Sequence, residues 1–352
     1  MASAALLRVC LEVIHFSGMS QLLRKKYQGL GSIFCLHHVC PGGGLQQGFA
    51  PNSKLEITPE FLEQIIMLVR KRGLETVSMA EAVDRIRTPK SNQKPFAVFT
   101  LDDGYKDNMT YGQPIFDRMN CPFTVFVAPK IVDGSCELWW RALELMIATQ
   151  DHFKAEISGE SLDFETRTQS QKSAAWDVLS VRIAAMPELE QRQAVRMLAV
   201  RYGVDLEKLC KSVAMTWDEI RTLNRDPLCT IGTHTMNHYA VSKLTPAQCK
   251  NELVESRRII SKELGEDVRF FAYPYGDEPA AGPRDFKIAT DAGYEASVTT
   301  RKGVIFRGHG EHLQALPRIM VSGRYQKLRY IDALISGAPT ALLNGFSEVN
   351  VS

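Results

Sequence analysis

Phe96-Ala-Val-Phe-Thr-Leu-Asp-Asp-Gly104 runs six uncharged residues straight into two carboxylates and a glycine. An apolar run without period-two alternation is the pattern of a strand buried on both faces, which belongs to a parallel sheet. Comparable runs lie at Ser32–Leu36, ending at His37-His38; at Pro122–Ala128; and at Leu228–Gly232, leading into His234. Others are Arg269–Tyr273, followed by Pro274-Tyr275-Gly276, then Glu295–Thr299 and Gly303–Phe306. Amphipathic helices alternate with them. Thr58-Pro59-Glu60 starts one, Ser78-Met-Ala-Glu81 reads as a capping box, and Thr245-Pro246 opens a long helix ending at Leu264-Gly265. Strands alternating with helices imply an α/β fold with a parallel sheet and crossover helices. The polar clusters follow strand C-terminal ends, where ligands bind in barrel and open α/β folds. Residues 134–215 break the rhythm and read as a helical insertion, and the chain is expected to divide into an N-terminal helical segment 1–30, a catalytic barrel 31–325 and a tail 326–352.

A chain of 352 residues with 45% hydrophobic and 23% charged content has the composition of an ordinary globular protein. Its net charge of +2 gives neither a nucleic-acid footprint nor an acidic solvating chain. Short basic runs, Arg24-Lys25-Lys26 and Arg70-Lys71-Arg72, read as solvated helix ends. The eight cysteines form no Cys-x-x-Cys pair and read as reduced residues of a reducing compartment. The N-terminal stretch is interrupted by Arg8, Glu12 and His15, and resembles an amphipathic helix more than a signal peptide. No stretch has the roughly 18 apolar residues of a membrane span. The expected location is cytoplasmic, with peripheral attachment to the inner membrane surface as the alternative. The sequence leaves the oligomeric state unknown.

Four fragments stand at strand ends: Leu36-His37-His38, Thr100-Leu-Asp-Asp-Gly104, Thr233-His-Thr-Met-Asn-His238 and Tyr273-Pro-Tyr-Gly276. Alone, Asp-Asp-Gly is a common turn, and two histidines four apart on a helical turn are as readily a surface pair as a ligand pair. Together they are more specific. Adjacent carboxylates after a buried strand raise one another's pKa, a cost that a divalent ion on one of them relieves while leaving the other free as a base. One carboxylate and two imidazoles with open positions also serve non-haem iron oxygenases. The second carboxylate favours hydrolysis, in which a water must lose a proton.

Thr-Leu-Asp-Asp-Gly, His-Thr-x-x-His and Tyr-Pro-Tyr-Gly resemble, in order, the first three motifs of the polysaccharide deacetylases, the NodB-homology or carbohydrate esterase family 4. The resemblance runs from about Gly31 to Ser322, apart from the insertion. It implies a distorted (β/α) barrel of about seven strands and a divalent metal, most commonly zinc. It implies removal of N-acetyl groups from an amino-sugar saccharide, free or lipid-linked, by metal-activated water. Asp102 would be the base, and Asp103, His234 and His238 the metal ligands. Tyr275 would supply a backbone N–H to the oxyanion.

Two departures stand out. The family's arginine three residues before the tyrosine is replaced by Ala272, and Arg318 of Leu316-Pro-Arg318 is either its substitute from a later strand, within the substrate site, or a plain surface arginine. The late histidine that serves as general acid is also missing. Circularly permuted members place it on a first strand ending in Tyr-His-x-Val, and Leu36-His37-His38-Val39 is similar, aligning His37 with the acid. His309 and His312 are the competitors. Trp139, Trp140 and Tyr273 are expected to line the sugar site, although helix packing is the plainer role for one of the tryptophans. A deformylase or cyclic-amide hydrolase on the same scaffold, and a carbohydrate-binding protein with a spent site, remain as rival readings.

Overall fold

The computed structural model describes residues 4–46 and 48–351, with the backbone alone for 4–8 and Cys10. Seven parallel strands form the centre: β1 (Gly31–Leu36), β2 (Phe96–Leu101), β3 (Phe123–Val127), β4 (Cys229–Thr233), β5 (Phe270–Ala272), β6 (Ala296–Lys302) and β7 (Leu316–Met320). Each pairs with its neighbours in the chain, and β1 pairs with both β2 and β7, so the sheet closes into a barrel. The two-residue strand Glu75–Thr76 adds to the start of β2.

The uncharged runs form strands because both of their faces are covered; every residue of β1, β2 and β3 is buried. Alternation still assigns each side chain a face. Phe34, Leu36, Phe99, Leu101 and Val125 pack outward against Phe61, Ile65 and Phe116 of the surrounding helices. Ile33, Val98, Phe126, Ala272, Val298 and Leu316, from six of the strands, pack together as the barrel filling. A side chain at Gly232 would lie 2.4 Å from the Phe126 ring, so its absence is what lets Phe126 into that core. Two residues further along each strand, the inward positions become Cys35, Thr100, His234 and Arg318. The next on β1 and β2 are His37 and Asp102. The period that fills the barrel thus delivers functional side chains to its strand-end rim.

Thr58 and Thr245 cap the helices Pro59–Lys71 and Pro246–Leu264, each with proline in the first turn. Ser78 caps Met79–Arg87 from one side only, because Glu81 pairs with Arg85 instead of returning to the cap. Asp332, on the helix Leu328–Ile335, accepts from both Arg24 and Arg72 at 2.7 Å, which ties the N-terminal helices and the first crossover helix to the C-terminal segment.

Three expectations need correction. Gly303–Phe306 is a loop whose Ile305 makes a single antiparallel bridge to Gly31. The seventh strand is β7, disguised by Pro317; proline is tolerated there because the β6–β7 register shifts between Val298 and Lys302. The insertion is also not all helical. His152–Ile157 and Glu160–Glu165 form an antiparallel hairpin around Ser158-Gly159, both with positive φ, and Phe153, Ala155 and Ile157 are its buried face.

His309 lies in the loop that returns from β6 to the strand-start end of the barrel, far from the rim. Its Nδ1 accepts from the Phe306 N–H at 3.0 Å, and burial lowers its pKa from 6.5 to about 4. The unfolded chain therefore binds this proton near pH 6.5 and the folded protein only near pH 4. The stability tied to the neutral ring is complete above pH 6.5 and is lost as pH falls toward 4. His309→Gln should flatten the pH dependence of unfolding in that window, by up to about 3 kcal/mol. Parallel pH–stability curves for the two proteins, followed by urea unfolding, would contradict this.

Candidate active site

Asp102 and Asp103 leave β2 through a turn in which Asp103 and Gly104 both take left-handed backbone, at φ 75° and 74°. A side chain at Gly104 would come within 2.9 Å of Val127, and its carbonyl accepts from the Met215 N–H at 3.0 Å. The plain reading of Asp-Asp-Gly as a turn therefore holds, and the turn aims two buried carboxylates at different partners. Arg318 grips Asp102 with both arms, Nη1 to Oδ1 at 2.8 Å and Nη2 to Oδ2 at 2.7 Å. The same guanidinium donates to Thr100 Oγ1 at 2.9 Å and the Thr299 carbonyl at 2.8 Å. Burial by itself pushes the Asp102 carboxyl up, but the Arg318 charge and hydrogen bonds, together with the neighbouring imidazoles of His234 and His37, outweigh it and hold the carboxyl below the usual range.

Asp103 faces the histidines. Its Oδ1 lies 3.0 Å from His238 Nε2 and 3.5 Å from His234 Nε2, with no hydrogen bond of conventional geometry. His234 Nδ1 donates to the Ala272 carbonyl at 2.7 Å, which fixes the tautomer and leaves Nε2 as a lone pair. Burial lowers the His234 pKa to about 4, so the ring is neutral near pH 7. The carboxylate oxygen and the two imidazole nitrogens lie within 4.8 Å of one another. A carboxylate and two imidazoles that converge in a buried place fit a divalent cation.

The His-x3-His segment is not a helical turn, as the spacing had suggested. Thr235 and His238 both adopt left-handed φ of 57°, and this kink brings the rings to a centroid distance of 4.9 Å. Glu252, from the helix Pro246–Leu264, holds the kink by accepting from the N–H groups of Met236 and Asn237 at 3.0 and 2.9 Å. Tyr275 is left-handed as well, at φ 61°. Its hydroxyl accepts from Trp139 Nε1 at 2.8 Å, while its own N–H has no acceptor among the described residues. Among the described residues, four of the eight non-glycine residues with positive φ thus sit on this rim, where strain is held by surrounding contacts.

The structure separates the adjacent histidines. His37 points inward, with a ring nitrogen within 4.8 Å of an Asp102 oxygen and of Cys35 Sγ. Burial lowers its pKa, and its Nδ1 has no partner. His38 turns away to Asp107, at 2.6 Å, and stacks on Tyr105.

The four expected substrate contacts are all buried. Tyr273 is fully buried against Phe271 and Phe286, on the helix side of the sheet. Arg318 is no surface arginine: it is fully buried and paired with Asp102 from a later strand, β7. Trp139 and Trp140 do border the site, but at 6% and 7% exposure neither offers an open ring face; Trp139 holds Tyr275, and Trp140 packs on His238 at 4.8 Å. The sequence reading missed Cys35, whose thiol lies 3.5 Å from Asp102 Oδ2, although the two-residue step back from His37 pointed to it. It also missed Glu252 and Arg192, for which no local signal exists.

Fold and rim together define the class, a (β/α) barrel with buried carboxylates and imidazoles gathered at its strand-end rim. The polysaccharide deacetylase family model matches residues 90–297, more than half of the chain. The chain is 30% identical over 278 residues to a Bacillus subtilis (strain 168) protein described provisionally as the polysaccharide deacetylase YxkH, covering 79% of this chain and 70% of that one. The protein belongs to the polysaccharide deacetylase family and is an N-deacetylase. Among solved structures, the Streptococcus pyogenes deacetylase PplD in complex with acetate superposes with a TM-score of 0.56 at 14% identity, over 86% of this chain and 97% of that one. IcaB from Ammonifex degensii gives 0.54 at 18% identity, over 88% and 99%. At these identities the superpositions establish the shared fold.

Arg318→Met should leave Asp102 buried and unpaired, lowering unfolding free energy by about 3–5 kcal/mol in urea titration. A loss below about 1 kcal/mol would show that the pair is not desolvated as described.

Proposed function

We propose that the protein removes N-acetyl groups from an amino-sugar saccharide with the help of one divalent ion, zinc being suited to this donor set. Asp103, His234 and His238 would hold it. The observation that carries this reading is the juxtaposition of a buried carboxylate–imidazole–imidazole cluster with a second carboxylate kept ionised by Arg318. A bound divalent ion supplies Lewis acidity, polarising an acyl carbonyl and lowering the pKa of water.

The chain's own groups supply the rest. Asp102, fixed in orientation by two hydrogen bonds, takes a proton from the water that attacks the acetamide carbonyl. The Tyr275 N–H, unengaged in the structure, donates to the oxygen that becomes negative. His37 gives a proton to the leaving amine, which otherwise departs poorly. Among the described histidines outside the ligand set, only His37 lies beside Asp102. Acetate, the small product of this reaction, is the molecule bound in the PplD structure.

The substrate is read as an N-acetylated saccharide, free or lipid-linked. The seven described cysteines are free, which supports a reducing, cytoplasmic setting. No helix among the described residues is long and apolar enough to cross a membrane.

Acetate release from a panel of N-acetylated mono- and oligosaccharides by zinc-loaded protein tests the reading. Turnover is expected on at least one, falling on the order of a hundredfold or more in His37→Ala, with the loss of rate at high pH flattened. His309→Ala and His312→Ala should change turnover less than threefold. An active His37→Ala with either loop variant dead would return His37 to a packing role.

A further inference from the structure

The helical insertion reaches the rim from outside the barrel. Its helix Glu188–Tyr202 places Glu188 and Arg192 one turn apart, and both side chains are 1% exposed. Arg192 Nη2 lies 3.3 Å from the His238 carbonyl and 3.5 Å from that of Asn237, donating to both. Glu188 accepts from the Ala240 N–H at 3.0 Å, two residues beyond the ligand. Lys243 extends the clamp by donating to the Met186 carbonyl at 2.9 Å. The segment so held is the one kinked by left-handed Thr235 and His238, a conformation costing about 1–2 kcal/mol per residue when nothing compensates it. Glu252 secures the N–H side of that kink; Arg192 is what engages its carbonyl side at the ligand itself.

Arg192 is held as a buried charge by neighbours that make few direct bonds to it. Its Nε and Nη1 have no hydrogen-bond partner, its carboxylate neighbours Glu188 and Glu137 stand 3.7 and 4.0 Å away, and its guanidinium lies 5.2 Å from the Tyr239 ring centroid. The hydrogen bonds it does make go to the carbonyls of the ligand turn. We propose that Arg192 is a positioning residue that fixes the His238 backbone, and that through it the insertion sets how tightly Asp103, His234 and His238 hold their ion. This rests on the metal reading above.

The test is zinc affinity by competition with a chromophoric chelator, measured beside thermal unfolding of the metal-free protein. Arg192→Met/Glu188→Gln removes the guanidinium and neutralises the carboxylate beside it while keeping an acceptor for the Ala240 N–H, and Arg192→Lys keeps the charge with one compact head group. Leu179→Ala, in the insertion core and away from the turn, is the control for lost packing. Zinc affinity should fall ten- to a hundredfold in the double variant, and by a smaller, measurable factor in Arg192→Lys. The control should lower the unfolding temperature yet keep its affinity within twofold. If the double variant does not fold, Arg192→Lys against Leu179→Ala decides. Unchanged affinity in the Arg192 variants, or an equal loss in the control, overturns the inference alone. Failure of the unsubstituted protein to bind zinc overturns the metal reading and this inference with it.

Discussion

Two carboxylates that are neighbours in the chain are both buried at the end of β2, and the site is organised around keeping both charged. Unit charges about 4 Å apart near a protein surface repel by roughly 4 kcal/mol. The rim divides their compensation. Asp102 receives a fixed guanidinium through two hydrogen bonds. Asp103 receives two imidazole nitrogens, one of which has its tautomer locked by the Ala272 carbonyl. Different partners suit the two aspartates to the different tasks proposed for them, a held base and a ligand.

Barrel closure makes this division available. Arg318 stands on β7 and Asp102 follows β2, with β1 between the two strands and paired to each. Inward alternation then aims Arg318, Cys35, Thr100 and Asp102 into one space. The ligand kink, in contrast, belongs to no strand. It depends on Glu252 from the following crossover helix and on Arg192 and Glu188 from the insertion. The strained backbone at Asp103, Thr235, His238 and Tyr275 is therefore a property of the assembled rim and not of any local segment.

This distinction explains what the sequence made legible. β2 was readable to the residue because a strand covered on both faces shows as an uninterrupted uncharged run. The rim positions of Asp102, Asp103, His234 and His238 were readable because each motif ends such a run. β7 was obscured by Pro317, and the hairpin by exposed charges between Phe153, Ala155 and Ile157. Tyr273 was misplaced because its motif lies at a strand end, where the face a side chain takes depends on the alternation inherited from Phe271. Arg192 and Glu252 reach the turn across gaps in sequence that no periodicity records.

The separate partners of Asp102 and Asp103 imply a separation of tasks, base for one and metal ligand for the other. Metal content of purified Asp102→Asn and Asp103→Asn proteins, determined side by side after zinc loading, tests it most directly. Asp102→Asn should retain about one ion per chain while losing acetate release, and Asp103→Asn should lose the ion. Loss of metal from Asp102→Asn with retention in Asp103→Asn would contradict the assignment.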